Sequence, residues 1–180
     1  MTHADSQPSV RTLNRILILG PGGAGKSTLA KKLADKFGLP LIHLDQHYWQ
    51  PGWVPMDSER WSMTIAELTA RERWIMDGNF ARFLDARLEV ADLVVFLDVN
   101  RRRSLWGAFT RVLKQSGQVR SDMAPGCPER FDAEFFLWLW NFPRDSKPEL
   151  ESAFARHSET PVVRLRSRKA VDAWLAGVAE

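Results

Sequence analysis

Residues 20–27 read Gly-Pro-Gly-Gly-Ala-Gly-Lys-Ser, directly after the apolar run Arg15-Ile16-Leu17-Ile18-Leu19 and directly before Thr28–Phe37, where Leu29, Leu33 and Phe37 fall at helical spacing. No other stretch constrains the fold as much, because strand, glycine-rich loop and helix in that order form a P-loop, a cradle for a polyphosphate. Gly20, Gly22, Gly23 and Gly25 remove the Cβ atoms that would hold backbone N–H groups away from the phosphates, and Ala24 and Thr28 complete the cradle. Lys26 is expected to reach the β- and γ-phosphates and Ser27 to place its hydroxyl on Mg²⁺. The following helix turns its positive N-terminal end toward the anion.

Further apolar runs alternate with helical segments along the chain. Leu39-Pro-Leu-Ile-His-Leu44 reads as a second strand ending at Asp45, and Arg73-Trp-Ile-Met-Asp77 as a third. Leu93–Leu97, followed by Asp98, reads as a fourth strand and Pro161–Leu165 as a fifth. Between them lie a helix capped by Ser58 and carrying Trp61, Ile65 and Leu68, and helical segments over 83–90, 101–114 and 132–140. Ser146 with Glu149 reads as a capping box for another helix, and Ser167 caps a closing helix with Val171, Trp174, Leu175 and Val178 on one side. Such alternation predicts an α/β fold, a three-layer P-loop NTPase domain with a five-stranded parallel sheet. Residues 1–14 read as a mobile N-terminal tail and 15–180 as a single domain. Gln115–Pro128, rich in Ser, Gly and Pro, reads as a mobile connection, so that a lid is expected at about 115–130.

Ligands of such sheets bind beyond the carboxyl ends of the strands, where Gly20, Asp45, Asp77 and Asp98 are expected. Asp77, with Gly78 leaving room beside it, is the expected magnesium-orienting residue alongside Ser27, and Asp98 is the alternative. Asp45 is read as the base or positioning residue for an acceptor hydroxyl, the plain alternative being a turn-forming aspartate. His43 and His47 flank it, but Pro51 and Gly52 break the strand that would align the three, so no metal site is expected there. Tyr48, Trp49 and Trp53 offer flat surface for a planar acceptor or for core and lid packing. Arg82 and Arg87 suit either an acceptor phosphate or a solvated helix face. Of the basic cluster from Arg101 to Arg130, Arg111 and Arg130 are the residues expected to close on the transferred phosphoryl group. Phe131, Phe135, Trp138 and Phe142 form one helical stripe, read as core.

Composition narrows the function class. Lys and Arg number 25 against 22 Asp and Glu in 180 residues, too mild an excess for a dedicated nucleic-acid binder, so direct nucleic-acid binding is not expected. The single cysteine, Cys127, excludes an intramolecular disulfide and points to the cytoplasm, and no apolar stretch approaches the ~20 residues of a membrane span. No Asn-Lys-x-Asp segment is present to read guanine, and no strand ends in Asp-Glu to activate water. ATP with Mg²⁺, held for transfer to a small-molecule acceptor, is the expected chemistry.

Taken with the P-loop, the segments His43-Leu-Asp-Gln-His-Tyr-Trp49, Asp77-Gly-Asn79, Asp122-Met-Ala-Pro-Gly-Cys-Pro-Glu-Arg130 and Trp138-Leu-Trp-Asn-Phe-Pro143 give the chain a family likeness. It resembles the adenylate-kinase-like proteins labelled FlaR-related, or topology-modulation proteins. The resemblance implies an ATP-binding, nucleoside-monophosphate-kinase-like fold with a lid. Where adenylate kinases carry Asp-Gly-Phe-Pro-Arg, this chain has Asp77-Gly-Asn-Phe-Ala-Arg82, displacing the monophosphate-clamping arginine by one residue. Asp45 and Tyr48 are instead similar to the strand-end aspartate motif of uridine-kinase-like enzymes, which phosphorylate hydroxyls. The family label also implies an alternative, a nucleotide-binding regulator of DNA topology or of a partner protein.

Overall fold

The computed structural model describes residues 13–178, so that most of the expected tail, 1–14, lies outside the described residues. Its last two residues belong to the fold. Leu13 is buried, the Asn14 N–H donates to Asp92 Oδ2 at 2.7 Å, and the Asn14 carbonyl accepts from the Trp74 N–H at 2.8 Å.

The chain runs from β1 (Arg15–Leu19) through the P-loop into α1 (Lys26–Phe37), then β2 (Leu41–His43), α2 (Leu44–Tyr48) and a small hairpin of β3 (Trp49–Gln50) and β4 (Val54–Pro55). It continues with α3 (Ser58–Thr69), β5 (Trp74–Asp77), a 3₁₀ turn at Ala81–Phe83, α4 (Leu84–Val90) and β6 (Leu93–Leu97). The last part comprises α5 (Arg101–Gln115), α6 (Ala133–Asn141), α7 (Ser146–Arg156), β7 (Val162–Leu165) and α8 (Arg168–Gly177). Five strands form one parallel sheet in the order β2-β5-β1-β6-β7, the expected architecture.

The pleat sorts β1 into two cores. Ile16 and Ile18 pack with Leu29 and Leu33 of α1, whereas Leu17 and Leu19 pack with Trp61 and Ile65 of α3, Leu88 of α4 and Phe154 of α7. With both faces covered, the central strands are apolar except for Arg15 at the start of β1 and Asp77 at the end of β5, and Ile16–Leu19 are fully buried. Register brings the chemistry together: Asp77 is paired with Ile18 of β1 on one side and His43 of β2 on the other, so the strand carboxyl ends open beside the P-loop.

Several local expectations are corrected. The second strand stops at His43, and Asp45 lies in the first turn of α2. Asp57, not Ser58, caps α3, its carboxylate accepting from the N–H groups of Glu59 and Arg60. No capping box forms at Ser146, whose hydroxyl instead accepts from the Trp138 indole N–H at 3.2 Å. Ser167 does cap α8, accepting from the Ala170 N–H at 3.1 Å.

Candidate active site

The P-loop is fixed from both sides. Behind it, the Asn79 side chain bonds both backbone groups of Gly20: the Gly20 N–H donates to Oδ1 at 3.0 Å, and Nδ2 donates to the Gly20 carbonyl at 2.8 Å. Asn79 is itself held by Arg87, which is fully buried and donates to the carbonyls of Gly78 (2.8 Å), Asn79, Phe80 (2.9 Å) and Phe83 (3.2 Å). Burial pulls the Arg87 pKa down to about 9, still a cation at neutral pH. In front, α5 touches the loop backbone to backbone. The Ser104 hydroxyl donates to the Gly22 carbonyl at 2.6 Å, and a Cβ on Gly107 would stand 2.2 Å from the Gly23 carbonyl oxygen.

No side chain caps α1, whose N-cap Gly25 takes a left-handed φ of 96°, so the first-turn N–H groups face the loop's cradle. Lys26 is half-buried and donates to the Pro21 carbonyl at 3.2 Å. Burial lowers its pKa, against the opposing pull of Asp77 and Asp45. The Ser27 hydroxyl donates to Asp77 Oδ2 at 2.7 Å, and His43 Nδ1 lies 3.1 Å from the same oxygen. Asp77 Oδ1 is buried with no hydrogen-bond partner, a costly state for a carboxylate oxygen unless a cation or water completes it. Ser27 and Asp77 therefore fit a magnesium ion. Among the described residues no group of three or more His, Cys, Asp or Glu side chains could hold a metal, so an ion here would take most of its ligands from phosphate and water oxygens. Asp98 is committed elsewhere, accepting from Lys147 at 2.6 Å and lying 3.4 Å from Arg166.

Asp45 is half-buried along the cleft, and its pKa is raised first by desolvation and then by the like charge of Asp77, with Lys26 opposing. It lines one cleft of about 850 Å³ together with Lys26, Ser27, Asp77, Trp49 and Arg111. The segment after α5 packs along one side of that cleft. Met123, Ala124 and Cys127 are buried against Trp49 and Trp53; the Trp53 indole donates to the Pro128 carbonyl at 3.0 Å, and the Gly52 N–H donates to the Gly126 carbonyl at 2.8 Å. At its base the Glu129 side chain takes Arg111 at 3.1 Å and Arg120 at 3.0 Å. Asp122, also lining the cleft, pairs with Arg120 at 3.4 Å. Burial raises its pKa, but Arg120 and the Ser27 hydroxyl outweigh that and hold it below the usual carboxylate range.

Other expected site residues stand apart. Arg130 is exposed, over the Trp53 ring at 5.8 Å, and does not line the cleft. Arg120, on the docked segment, reaches it in its place. Arg82 is exposed and donates to the Ser58 hydroxyl at 2.8 Å, because the 3₁₀ turn aims it away from the P-loop. Tyr48 packs edge-on against Trp61 and Phe80 at the core margin, leaving Trp49 and Trp53 as the cleft wall. The aromatic stripe divides: Phe142 is core, Phe131 is exposed, and Phe135 and Trp138 line the cleft. The sequence reading gives Asn79, Arg120, Asp122 and Glu129 no site role, although three of them fall within the arginine-flanked segment, where paired charges in a Gly- and Pro-containing run are the available signal. A second cavity of about 470 Å³ opens on the other side of the loop, between Thr28, Arg103, Trp106, Ser167 and Val171.

No family model matches the chain. It is 30% identical over 94 residues to a protein of Thermococcus gammatolerans named "Putative adenylate kinase", a match covering 48% of this chain and 50% of that one. A shorter match, 64% identical over 28 residues, covers 16% of this chain and 16% of an adenylate kinase of Mycolicibacterium vanbaalenii. The matches thus span half or less of these relatives' length. Among solved structures, shikimate kinase from Acinetobacter baumannii in complex with shikimate superimposes with a TM-score of 0.59 at 18% identity, covering 93% of this chain and 92% of that one. Shikimate kinase from Bacteroides thetaiotaomicron gives 0.50 at 19% identity, covering 93% and 96%. The fold is that of the P-loop kinases.

Proposed function

We propose that the protein is an ATP-dependent small-molecule kinase, moving the γ-phosphate of Mg-ATP from the P-loop to an acceptor in the larger cleft. The observation that carries this reading is one cleft joining Lys26 and Ser27 to a half-buried carboxylate, Asp45, to Arg111 of α5 and to Arg120 of the docked segment. The partial adenylate kinase likeness and the kinase fold support it. The smaller cavity suits the base and ribose of the nucleotide: Trp106 and Val171 give it flat apolar walls, and it meets the P-loop at Gly23 and Gly25. Magnesium, when bound, neutralises phosphate charge; Ser27 and Asp77 would hold it. Asp45 takes the acceptor proton, and its raised pKa makes it a better base than an ordinary aspartate. Arg111 and Arg120 face the charge that spreads over the transferring group. Residues 115–130 act as the lid of a single domain, lifting from Trp49 and Trp53 to exchange ligands. We place the protein in the cytoplasm, since its one cysteine is free and buried and no described helix is long and apolar enough to cross a membrane.

The test is ADP release by the pure protein with Mg-ATP across a panel of acceptors. Release that depends on an acceptor and is lost in Lys26→Ala supports the reading, and release equal to that of Lys26→Ala on every acceptor contradicts it. One observation favours the FlaR-type regulator as a second reading. The outer face of α5 exposes Arg102, Arg103 and Lys114 beside Trp106, Phe109 and Leu113, and the helix contains no acidic residue. Nucleotide-dependent capture of DNA or a protein by this face, without acceptor turnover, would favour that reading.

A further inference from the structure

A kinase whose acceptor is a monophosphate must offer that dianion cations not already neutralised, and here the arginines are spent. Arg87 is buried among four carbonyl oxygens, and Arg82 is outside the cleft on Ser58. Arg111 and Arg120 reach the cleft, but they share Glu129, Arg120 also meets Asp122, and on the kinase reading what charge they retain serves the transferring phosphoryl group and not the acceptor. Lys26 belongs to the phosphate donor. Lys31 and Lys32 stand exposed on α1 at the cleft mouth, where Asp35 lies one turn from Lys31 and Asp172 is 3.9 Å from Lys32. Once these pairs are formed, Asp45 has no arginine of its own, so the acceptor end carries excess negative charge. The cleft also carries the aromatic rings of Trp49, Trp53, Phe135 and Trp138.

We infer that the acceptor is a phosphate-free alcohol, neutral or cationic and with a flat or apolar face, and not a nucleoside monophosphate or other phosphate ester. The inference rests on the kinase reading above and narrows its substrate class. A dianion placed beside Asp45 and Asp122 meets like charge while Glu129 holds the neighbouring arginines, an arrangement that costs several-fold to many-fold in affinity. A neutral hydroxyl meets no such repulsion and finds a carboxylate acceptor for its proton. In the transfer, the acceptor oxygen forms the new O–P bond as the bond from the γ-phosphorus to the β,γ-bridging oxygen breaks. ADP leaves with that electron pair, and the hydroxyl proton passes to the Asp45 carboxylate.

Matched pairs test this by calorimetric titration of the protein saturated with ADP and Mg²⁺: adenosine and AMP, uridine and UMP, a hexose and its 6-phosphate, an amino alcohol and its phosphate ester. The first titration, ADP into wild type and into Lys26→Ala, reports on the kinase reading alone, which fails if both bind equally or neither binds. With that passed, the expected result is that the phosphate-free member of at least one pair binds about tenfold tighter or more, and that no monophosphate binds tighter than its partner. A tighter monophosphate in any pair, or no discrimination in all of them, overturns the inference. Glu129→Gln, by releasing the arginines, is expected to shift the affinity ratio of a discriminating pair about tenfold toward the monophosphate. An unchanged ratio in folded Glu129→Gln would mean that Glu129 does not set the charge balance and would also overturn it.

Discussion

Removing the charge of Asp45 separates its chemical use from its energetic cost. Its folded pKa lies above the ordinary aspartate value of 3.8, so the protonated form is the one folding favours. Its stabilising contribution is complete below the unfolded pKa and is lost as pH rises through the folded one. Asp45→Asn should therefore raise Tm at neutral pH, read by calorimetry, while turnover falls by ~10²- to 10⁴-fold. For the same reason kcat/KM of the wild type should fall on the acid side through an ionisation above 3.8, the carboxylate losing its base form as pH drops. A Tm lowered by Asp45→Asn would show that the carboxylate is a net stabiliser, against this account. Arg87 is the opposite kind of buried charge. Its cation satisfies four carbonyls, so Arg87→Met leaves them unpaired in the interior and should cost about 3 kcal/mol or more of unfolding free energy, measured by urea titration.

At the scale of elements, α5 and the P-loop are in backbone contact, and only glycine at both positions permits it. Gly107→Ala would normally favour an exposed helix by ~1 kcal/mol. Here its Cβ would meet the Gly23 carbonyl oxygen at 2.2 Å, so α5 and the loop must part. The expected outcome is loss of nucleotide affinity with helix content retained, checked by ADP titration and circular dichroism; wild-type affinity would mean that the contact does not shape the loop. Gly107 gives no signal of this in the sequence, since a lone glycine in a helical pattern looks like a small defect. The sheet was legible because fully buried parallel strands read as continuous apolar runs, as Ile16–Leu19 and Val94–Leu97 do, and because the P-loop fixes one strand–helix junction. Asp77 was legible for a related reason: it ends a run flanked by Gly78. Asp45 was placed correctly in the chain but on the wrong element, because three strand residues followed by a single helical turn leave no periodicity to read. Side-chain aim was the least legible. Whether Arg82, Arg120 or Arg130 reaches the cleft depends on a 3₁₀ turn at Ala81–Phe83 and on the docking of Met123, Ala124 and Cys127, both of which are tertiary outcomes.

The whole molecule is a parallel sheet with two pockets at its carboxyl edge, joined by the P-loop and partly covered by residues 115–130. Serving as the proposed lid, a segment held only by Trp49, Trp53 and a few backbone bonds should show amide exchange at 117–128 that slows on addition of ATP and Mg²⁺ more than exchange in β1. Equal protection before and after would mean that the segment does not serve as a lid. Under the proposed kinase function the labour of the site is divided, with Lys26 serving the donor side and Asp45 the acceptor side. The most direct measurement is a parallel comparison of wild type, Lys26→Ala and Asp45→Asn, following ATP affinity by titration and transfer by ³¹P NMR with an acceptor that the wild type uses. Lys26→Ala should lose both affinity and transfer, whereas Asp45→Asn should bind ATP within about threefold of wild type and lose transfer by ~10²-fold or more. Transfer by Asp45→Asn at the wild-type rate, or release of phosphate to water at a rate no acceptor changes, would contradict the account.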